Sequence, residues 1–424
     1  MRLPIRLVVV AATAFSLVGL SGITAVSSAA IGDDAPLPQL TIDDLAFEDE
    51  PGLRLESRPV VAPDPQTARV GSSAECSEPD ENGKQSCLIV GTDAPVASTA
   101  RAGRAMQGLP AWCLTGERNV LYLARTEACG MYDGYLSILE TTGAVTKEVG
   151  ALAFTLYRYT YMSTRLPQWE SQIQVSPSMI RGEAIGTEFS GVATCTGDCA
   201  VSLSSFPPQV PTLHGDANGE ASFAWPVVPG GIGHAIPSWT VSIKAPSAQN
   251  VVSETYGGVP TVRCDQAVPG VATAGCVIPA ATPELIYYIA AWPEFGGHLL
   301  NAYFSGLPGS WYSGVPLHRL TDEKLKQNNR DRACPQSLNK PAGKSCDEYP
   351  FASTWEGAYT ARGEARTFAG CQIPEYPIGR TGPLGFSACM IDVEENSLAG
   401  SRMNSALFVP YRVIENDTFF VTVE

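Results

Sequence analysis

The chain has 424 residues, 44% of them apolar and 17% charged, with 40 Gly and 33 Pro. That composition supports packed cores and excludes wholesale disorder, and its glycine and proline content favours turns and short strands over long helices. A formal net charge of −15 argues against a protein that coats nucleic acid by its overall charge, while leaving room for a local site.

At the start, Arg2 and Arg6 precede an uncharged apolar run from Leu7 to Leu20, and the small residues Ser28-Ala29-Ala30 follow. A charged start, a short apolar middle and a small-residue end predict a secretory signal over residues 1–30. The apolar run is too short for a membrane anchor. No later stretch is long and apolar enough to span, so the expectation is an exported, extracellular protein without stable membrane association.

Residues 31–105 read as an acidic Pro/Ser-rich arm or pro-segment. Residues 31–100 hold 14 Asp/Glu against 4 Lys/Arg, and Phe47 is their one aromatic. Such a segment is expected to bury little and stay extended. It serves as a solubilising linker or, in a sharper reading, as a polyanion that masks a DNA-binding groove within the same chain.

Residues 106–308 read as a β-rich, sandwich-like domain of unassigned role. Runs such as Val120 to Leu123, Ala151 to Leu156 and Leu285 to Ala290 are separated by Gly, Pro, Ser and Asn. Segments such as Thr240-Val241-Ser242-Ile243 alternate apolar with polar, the pattern of antiparallel strands. His214, His234 and His298 lie among Gly and Pro and read as loop or core residues.

Twelve cysteines, an even number in an exported chain, predict disulfides. Nearest-neighbour pairing gives Cys76–Cys87, Cys113–Cys129, Cys195–Cys199, Cys264–Cys276, Cys334–Cys346 and Cys371–Cys389, a guess among many connectivities. Zinc at Cys195 and Cys199 is disfavoured because no His flanks them.

The remaining residues, 309–424, are nearly neutral: from Trp311 on there are 12 Lys/Arg and 14 Asp/Glu. Leu317 to Asn329 predicts a polar helix, Gly385 to Val393 a strand, Asn396 to about Leu407 a helix, and Phe419 to Val423 a closing strand. Gly343-Lys344-Ser345 is no phosphate loop, since Leu338 stands where its leading glycine belongs. Gly231-Ile232-Gly233 lacks a third glycine at Ile236, and no His-Glu-x-x-His or Gly-x-Ser-x-Gly occurs.

Two segments carry chemistry. Cys346-Asp347-Glu348-Tyr349-Pro350-Phe351-Ala352-Ser353-Thr354-Trp355-Glu356-Gly357-Ala358 sets paired carboxylates beside a rigid aromatic-Pro step. Asn396-Ser397-Leu398-Ala399-Gly400-Ser401 follows a strand and two acidic residues. Singly, Asp347 and Glu348 read as surface charge and Asn396 as a helix cap. Together, and in this order, they resemble the NucA/NucB family of secreted bacterial deoxyribonucleases, over about residues 315–424.

The resemblance implies a multidomain chain ending in a small α+β nuclease domain with a ββα-metal (His-Me-like) core. Asp347 would be the general base, in the place that a His takes in the wider superfamily. Asn396 would be the ligand of one divalent metal, Mg²⁺ or Mn²⁺. Glu348 and Glu356 fall inside the matched motif as further catalytic candidates. Arg402, beyond Asn396 on the same helix, and His318 are candidate substrate-binding residues. The gap from Asp347 to Asn396 is longer than in small family members, and an insertion stapled through Cys371 and Cys389 accounts for it.

The activity so implied is that of a hydrolase acting on ester bonds: a secreted, metal-dependent, sequence-nonspecific endodeoxyribonuclease with DNA as substrate. Two alternatives stand beside it. One is a secreted cell-surface or cell-wall binding protein with an inactive nuclease-like tail. The other is an exported nuclease toxin, for which an immunity or inhibitor protein is expected.

Overall fold

The computed structural model describes residues 52–62, 74–95, 108–257 and 261–424, all within one compact unit, Gln39–Glu424. The expected signal over residues 1–30 lies outside the described residues. Strand is the commonest regular structure in the described chain, arranged in four sheets.

The largest sheet has nine strands. The first strand, β1 (Leu53–Glu56), belongs to another sheet; at the centre of this one β2 (Lys84–Val90), β3 (Glu127–Thr142), β4 (Val145–Met162) and β5 (Gln168–Gly182) pair antiparallel in that order. The strands are longer than expected. Gly143, at φ 65°, makes the turn between β3 and β4, a backbone conformation that glycine adopts without strain.

In β4, Leu152, Phe154 and Leu156 point into the main core, while Tyr157, Tyr159 and Tyr161 on the opposite face join a smaller cluster with Cys113 and Cys129. Strand alternation thus buries both faces at once, which explains a continuous apolar and aromatic run. A five-stranded sheet contains β6 (Glu188–Gly197) and β8 (Ile232–Lys244), with β7 (Ala217–Ala224) pairing on β5 of the larger sheet. Both sheets contribute to one apolar core, Trp169 and Phe223 from one and Trp239 and Ile243 from the other.

The segment expected to remain an extended arm is woven into this fold where it is described. Leu88 and Val90 of β2 are fully buried, and β2 pairs with β3 from Lys84↔Glu140 to Val90↔Gly134. Composition averaged over residues 31–105 hid a short apolar strand inside an acidic stretch. Pairing with β3 and burial of Leu88 and Val90 in the main core secure it together.

A mixed four-stranded sheet brings distant segments together. β1 pairs antiparallel with β9 (Glu284–Tyr287), which pairs parallel with the later strand Thr418–Val423, itself antiparallel to Leu317–His318. Helix α1 (Pro293–Phe304) follows β9, with Pro at its first position and Glu294 in its first turn. Phe295, Leu299 and Ala302 share a core with Tyr349, Ile391, Phe419 and Val421. Leu53 of β1 and Leu285 and Tyr287 of β9 belong to the same core, which draws on residues before 309 as well as after it.

Strand β10 (Leu317–His318) leads to α2 (Glu323–Ala333), capped by the Asp322 carboxylate accepting from the Leu325 N–H at 2.8 Å. The expected helix thus starts later, and its first residues are strand. β11 (Lys344–Tyr349) pairs antiparallel with β12 (Phe386–Asp392), and α3 (Val393–Met403) follows directly. β13 (Thr418–Val423) closes the fold. All six sequence-adjacent cysteine pairs are joined as disulfides.

A buried ionic latch ties the β-rich half to the C-terminal part. Asp417 accepts from Arg125 at 2.7 Å and from Arg263 at 2.5 Å, and Arg412 donates to Asp265 at 2.7 Å. Arg125 and Arg263 also donate to the Arg412 carbonyl, at 3.2 and 2.6 Å. Burial by itself raises the Asp417 carboxyl, but the two guanidinium groups outweigh it and hold it below the ordinary carboxylate value.

Candidate active site

The two motif segments meet across a cleft of about 720 Å³. Its floor is β11, which places Asp347 opposite Cys389 and Tyr349 opposite Ser387 in the pairing with β12. Adjacent strand residues face opposite ways, yet β11 is the edge of its sheet, and both Asp347 and Glu348 line the cleft. Asp347 is buried and Glu348 half-buried. Burial, and then the neighbouring charge of Asp347, push the Glu348 carboxyl up to about 8 despite Arg330 opposing the shift.

One wall is α3. Its cap is Asp392, whose carboxylate accepts from the Glu394 and Glu395 N–H groups at 3.0 Å. The helix therefore starts at Val393 rather than Asn396, and Asn396 is free of capping duty. Its side-chain amide donates to Ser345 Oγ at 3.0 Å and to the Cys346 carbonyl at 3.2 Å. Those bonds commit the nitrogen to β11 and leave the side-chain oxygen as an acceptor at a residue that lines the cleft. A hard oxygen ligand of this kind suits a divalent cation. Among the described residues no group of three or more His, Cys, Asp or Glu could hold a metal.

The opposite wall is cationic. Lys326 and Arg330, one turn apart on α2, line the cleft with Arg319. Arg319 is 5% exposed; its guanidinium lies 3.8 Å from the centre of the Phe408 ring. It makes one long bond, to the Ser353 carbonyl at 3.5 Å, and its Nε has no partner. Burial lowers its pKa to about 10, the more distant Glu415 and Glu323 countering only in part.

His298, on α1, comes from outside the motif segments. It is buried, with Nδ1 2.6 Å from Asp347 Oδ2 and Nε2 2.9 Å from Ser387 Oγ. The N-terminal turn of α1 also grips the site's frame. Glu294 accepts from Lys344 Nζ at 2.5 Å and from the Asp392 N–H at 2.6 Å, and the Phe295 N–H donates to Glu395 at 2.7 Å.

Three candidates are placed elsewhere. Glu356 accepts from the His318 backbone N–H at 2.9 Å and contacts its Nδ1 at 2.8 Å; neither residue is among those lining the cleft. This pair fastens β10 to the motif loop. Gly357 leaves room for Asn329, whose amide nitrogen would lie 2.3 Å from an added Cβ. Asn329 in turn bonds the loop at Ala352 O and at the Tyr359 and Thr360 N–H groups. The Glu-Gly of the motif thus shapes the loop. Arg402 lies on another face of α3, by Ala291, Trp292 and Asp392.

Sequence reading marks none of Arg319, Lys326 and Arg330, and takes His298 as a loop or core residue; it is buried, as a core residue would be, and its ring meets Asp347. Pro293-Glu294 followed by Phe295, Leu299 and Ala302 at helical spacing marks α1, although Gly296-Gly297 weakens the signal. Lys326 and Arg330 flank the buried Asn329 on a predicted helix. Arg319 carries no local mark. None of the described residues before Phe295 lines the cleft, so the described parts of the acidic segment do not mask it.

Residues 316–422 match the family model described as Deoxyribonuclease NucA/NucB. No curated protein and no solved structure matches the chain. Over residues 316–422 this mainly β protein is therefore similar to the NucA/NucB deoxyribonucleases.

Proposed function

We propose that the protein is a secreted, metal-dependent endodeoxyribonuclease that hydrolyses phosphodiester bonds of extracellular DNA without reading base sequence. One observation carries the reading: Asp347 and Asn396, from separate motif segments, line a single cleft together with three cationic side chains. Six disulfides support an oxidising, extracellular setting. The β-strand, β-strand, helix order of β11, β12 and α3 supports a ββα-metal core.

The donor set fits one hard cation with few protein ligands: the Asn396 side-chain oxygen, completed by water and substrate phosphate. A bound Mg²⁺ or Mn²⁺ supplies positive charge to the phosphate oxygens and the leaving oxygen. Arg319, Lys326 and Arg330 hold phosphates of the strand, contacts that position DNA and carry no sequence information. Asp347 takes a proton from the attacking water, whose oxygen bonds to phosphorus as the phosphorus–deoxyribose oxygen bond breaks. The departing oxygen takes its proton from solvent. Such general-base help contributes ~10²–10⁴-fold in rate.

The test is cleavage of supercoiled plasmid by the oxidised protein with Mg²⁺ or Mn²⁺, with EDTA, and as Asp347→Ala. Nicking and linearisation that need metal and Asp347 support the reading. No cleavage in either metal returns the choice to a binding protein with an inactive tail, and cleavage surviving Asp347→Ala keeps the nuclease but removes its base.

A further inference from the structure

We infer that His298 is a positioning residue for the Asp347 base, so that the nuclease site is completed by a helix preceding the family-matched region. The inference rests on the nuclease reading above. A carboxylate used as a base must present one oxygen to water in a fixed orientation. A short side chain on an edge strand does not secure this unaided. At Asp347 one oxygen, Oδ2, is taken by His298 Nδ1 at 2.6 Å, which leaves Oδ1 as the oxygen for a water in the cleft.

The imidazole is itself held. Its other nitrogen lies 2.9 Å from Ser387 Oγ, on the strand paired with β11, and Ser387 stands opposite Tyr349, two residues beyond Asp347. The Ser387 hydroxyl in turn donates to the Tyr349 carbonyl at 3.4 Å; with a proton on Nδ1 the ring donates to Asp347, and both ring nitrogens have partners. The side chain has no exposed surface, and Phe368 lies beside the ring at 6.1 Å between centres.

The backbone that carries His298 is equally fixed. One turn before it, Glu294 and Phe295 bind Lys344, Asp392 and Glu395, at the ends of β11 and β12 and the start of α3. Helix α1 thus braces the strand bearing the base and the helix bearing Asn396. His298 stands where that brace meets the carboxylate. Its ring nitrogens face protein atoms, so its part is to orient Asp347 and not to touch DNA.

Two polar variants separate this role from simple core filling. In His298→Asn the amide nitrogen takes the place of Nδ1 and can still donate to Asp347; in His298→Gln the amide takes the place of Nε2 and cannot. Full-length oxidised protein would be assayed on linear duplex DNA with Mg²⁺. Thermal unfolding, and DNA binding in EDTA, would be measured on the same samples.

The expected result is a loss of about 100-fold in kcat for His298→Gln with KM and DNA binding unchanged, since misplacing a reacting group costs about that much. His298→Asn should keep activity within about tenfold of the unaltered protein. In the unaltered protein, a slowly exchanging low-field ring N–H proton resonance should appear in the NMR spectrum and vanish in Asp347→Ala. Equal activity of both variants, or a loss confined to KM, would overturn the inference while leaving the nuclease standing. An unaltered protein that cuts no DNA would instead overturn the nuclease reading on which it rests, and the resonance would still report whether the His298–Asp347 bond exists.

Discussion

The molecule buries arginine in two places under different terms. In the latch, Arg125, Arg263 and Arg412 meet Asp265, Asp417 and backbone carbonyls at 2.5–3.4 Å, with all three arginines buried. In the cleft, Arg319 is nearly as buried but rests on an aromatic ring with a single long bond. An unpaired buried charge is costly. The latch meets that cost from within the fold, whereas the cleft leaves cation, carboxylate and amide oxygen turned toward a space large enough for a substrate strand. Charges in the latch should therefore govern stability, and those in the cleft activity.

The sharpest break of that contrast would come from Asp347→Ala. Cleavage should fall by ~10²–10⁴-fold while the unfolding midpoint stays close to that of the unaltered protein. A collapse of the fold would show that Asp347 belongs with the latch. Next comes Asp417→Ala, which strands Arg125 and Arg263 without their shared carboxylate. Denaturant unfolding should show a loss of about 3–5 kcal/mol, and the protein that remains folded should cleave DNA at its usual rate.

Arg319→Met should raise KM about tenfold and lower the salt dependence of DNA binding by about one phosphate contact. Its thermal midpoint should hold or rise, because an under-paired buried charge is removed. A clear drop in stability with unchanged KM would place Arg319 among the structural arginines.

Glu348 tests the cleft through pH. Its carboxyl titrates near 4.5 ordinarily and about 8 in the fold, so between those values the folded state binds more protons than the unfolded one. Stability then falls as pH rises across that window. Glu348→Gln lacks this slope, and its midpoint advantage should grow from near zero at low pH to about 2–4 °C above pH 8. A constant difference in scanning calorimetry across that range would refute it. The smallest effect belongs to Arg402→Ala, which should cleave within about twofold of the unaltered protein, since Arg402 lines another face of α3.

What was legible in the sequence follows range. Asp347 and Asn396 could be named because each sits in a contiguous motif, and the two segments do line one cleft. The antiparallel texture was visible in alternation, and the cysteine pairs were near neighbours in sequence. His298 was not legible, because its meaning depends on α1 crossing β11 and β12 far along the chain. The Glu356 carboxylate is engaged by His318, a contact between segments that spacing does not reveal. The acidic stretch concealed β2 for a similar reason, since a half-polar strand is stabilised by the neighbour it pairs with.

The disulfide Cys334–Cys346 joins the end of α2 to β11, and so fastens the cationic wall covalently to the strand that carries Asp347, the proposed base. Two chemically different sides of the cleft share one redox history. In a reducing compartment, where such bridges do not persist, their spacing depends on packing alone; oxidation makes it a property of the covalent chain. The chain thus carries, one residue from Asp347, a record of whether it has left the reducing interior in which its proposed substrate would also be the host's own genome.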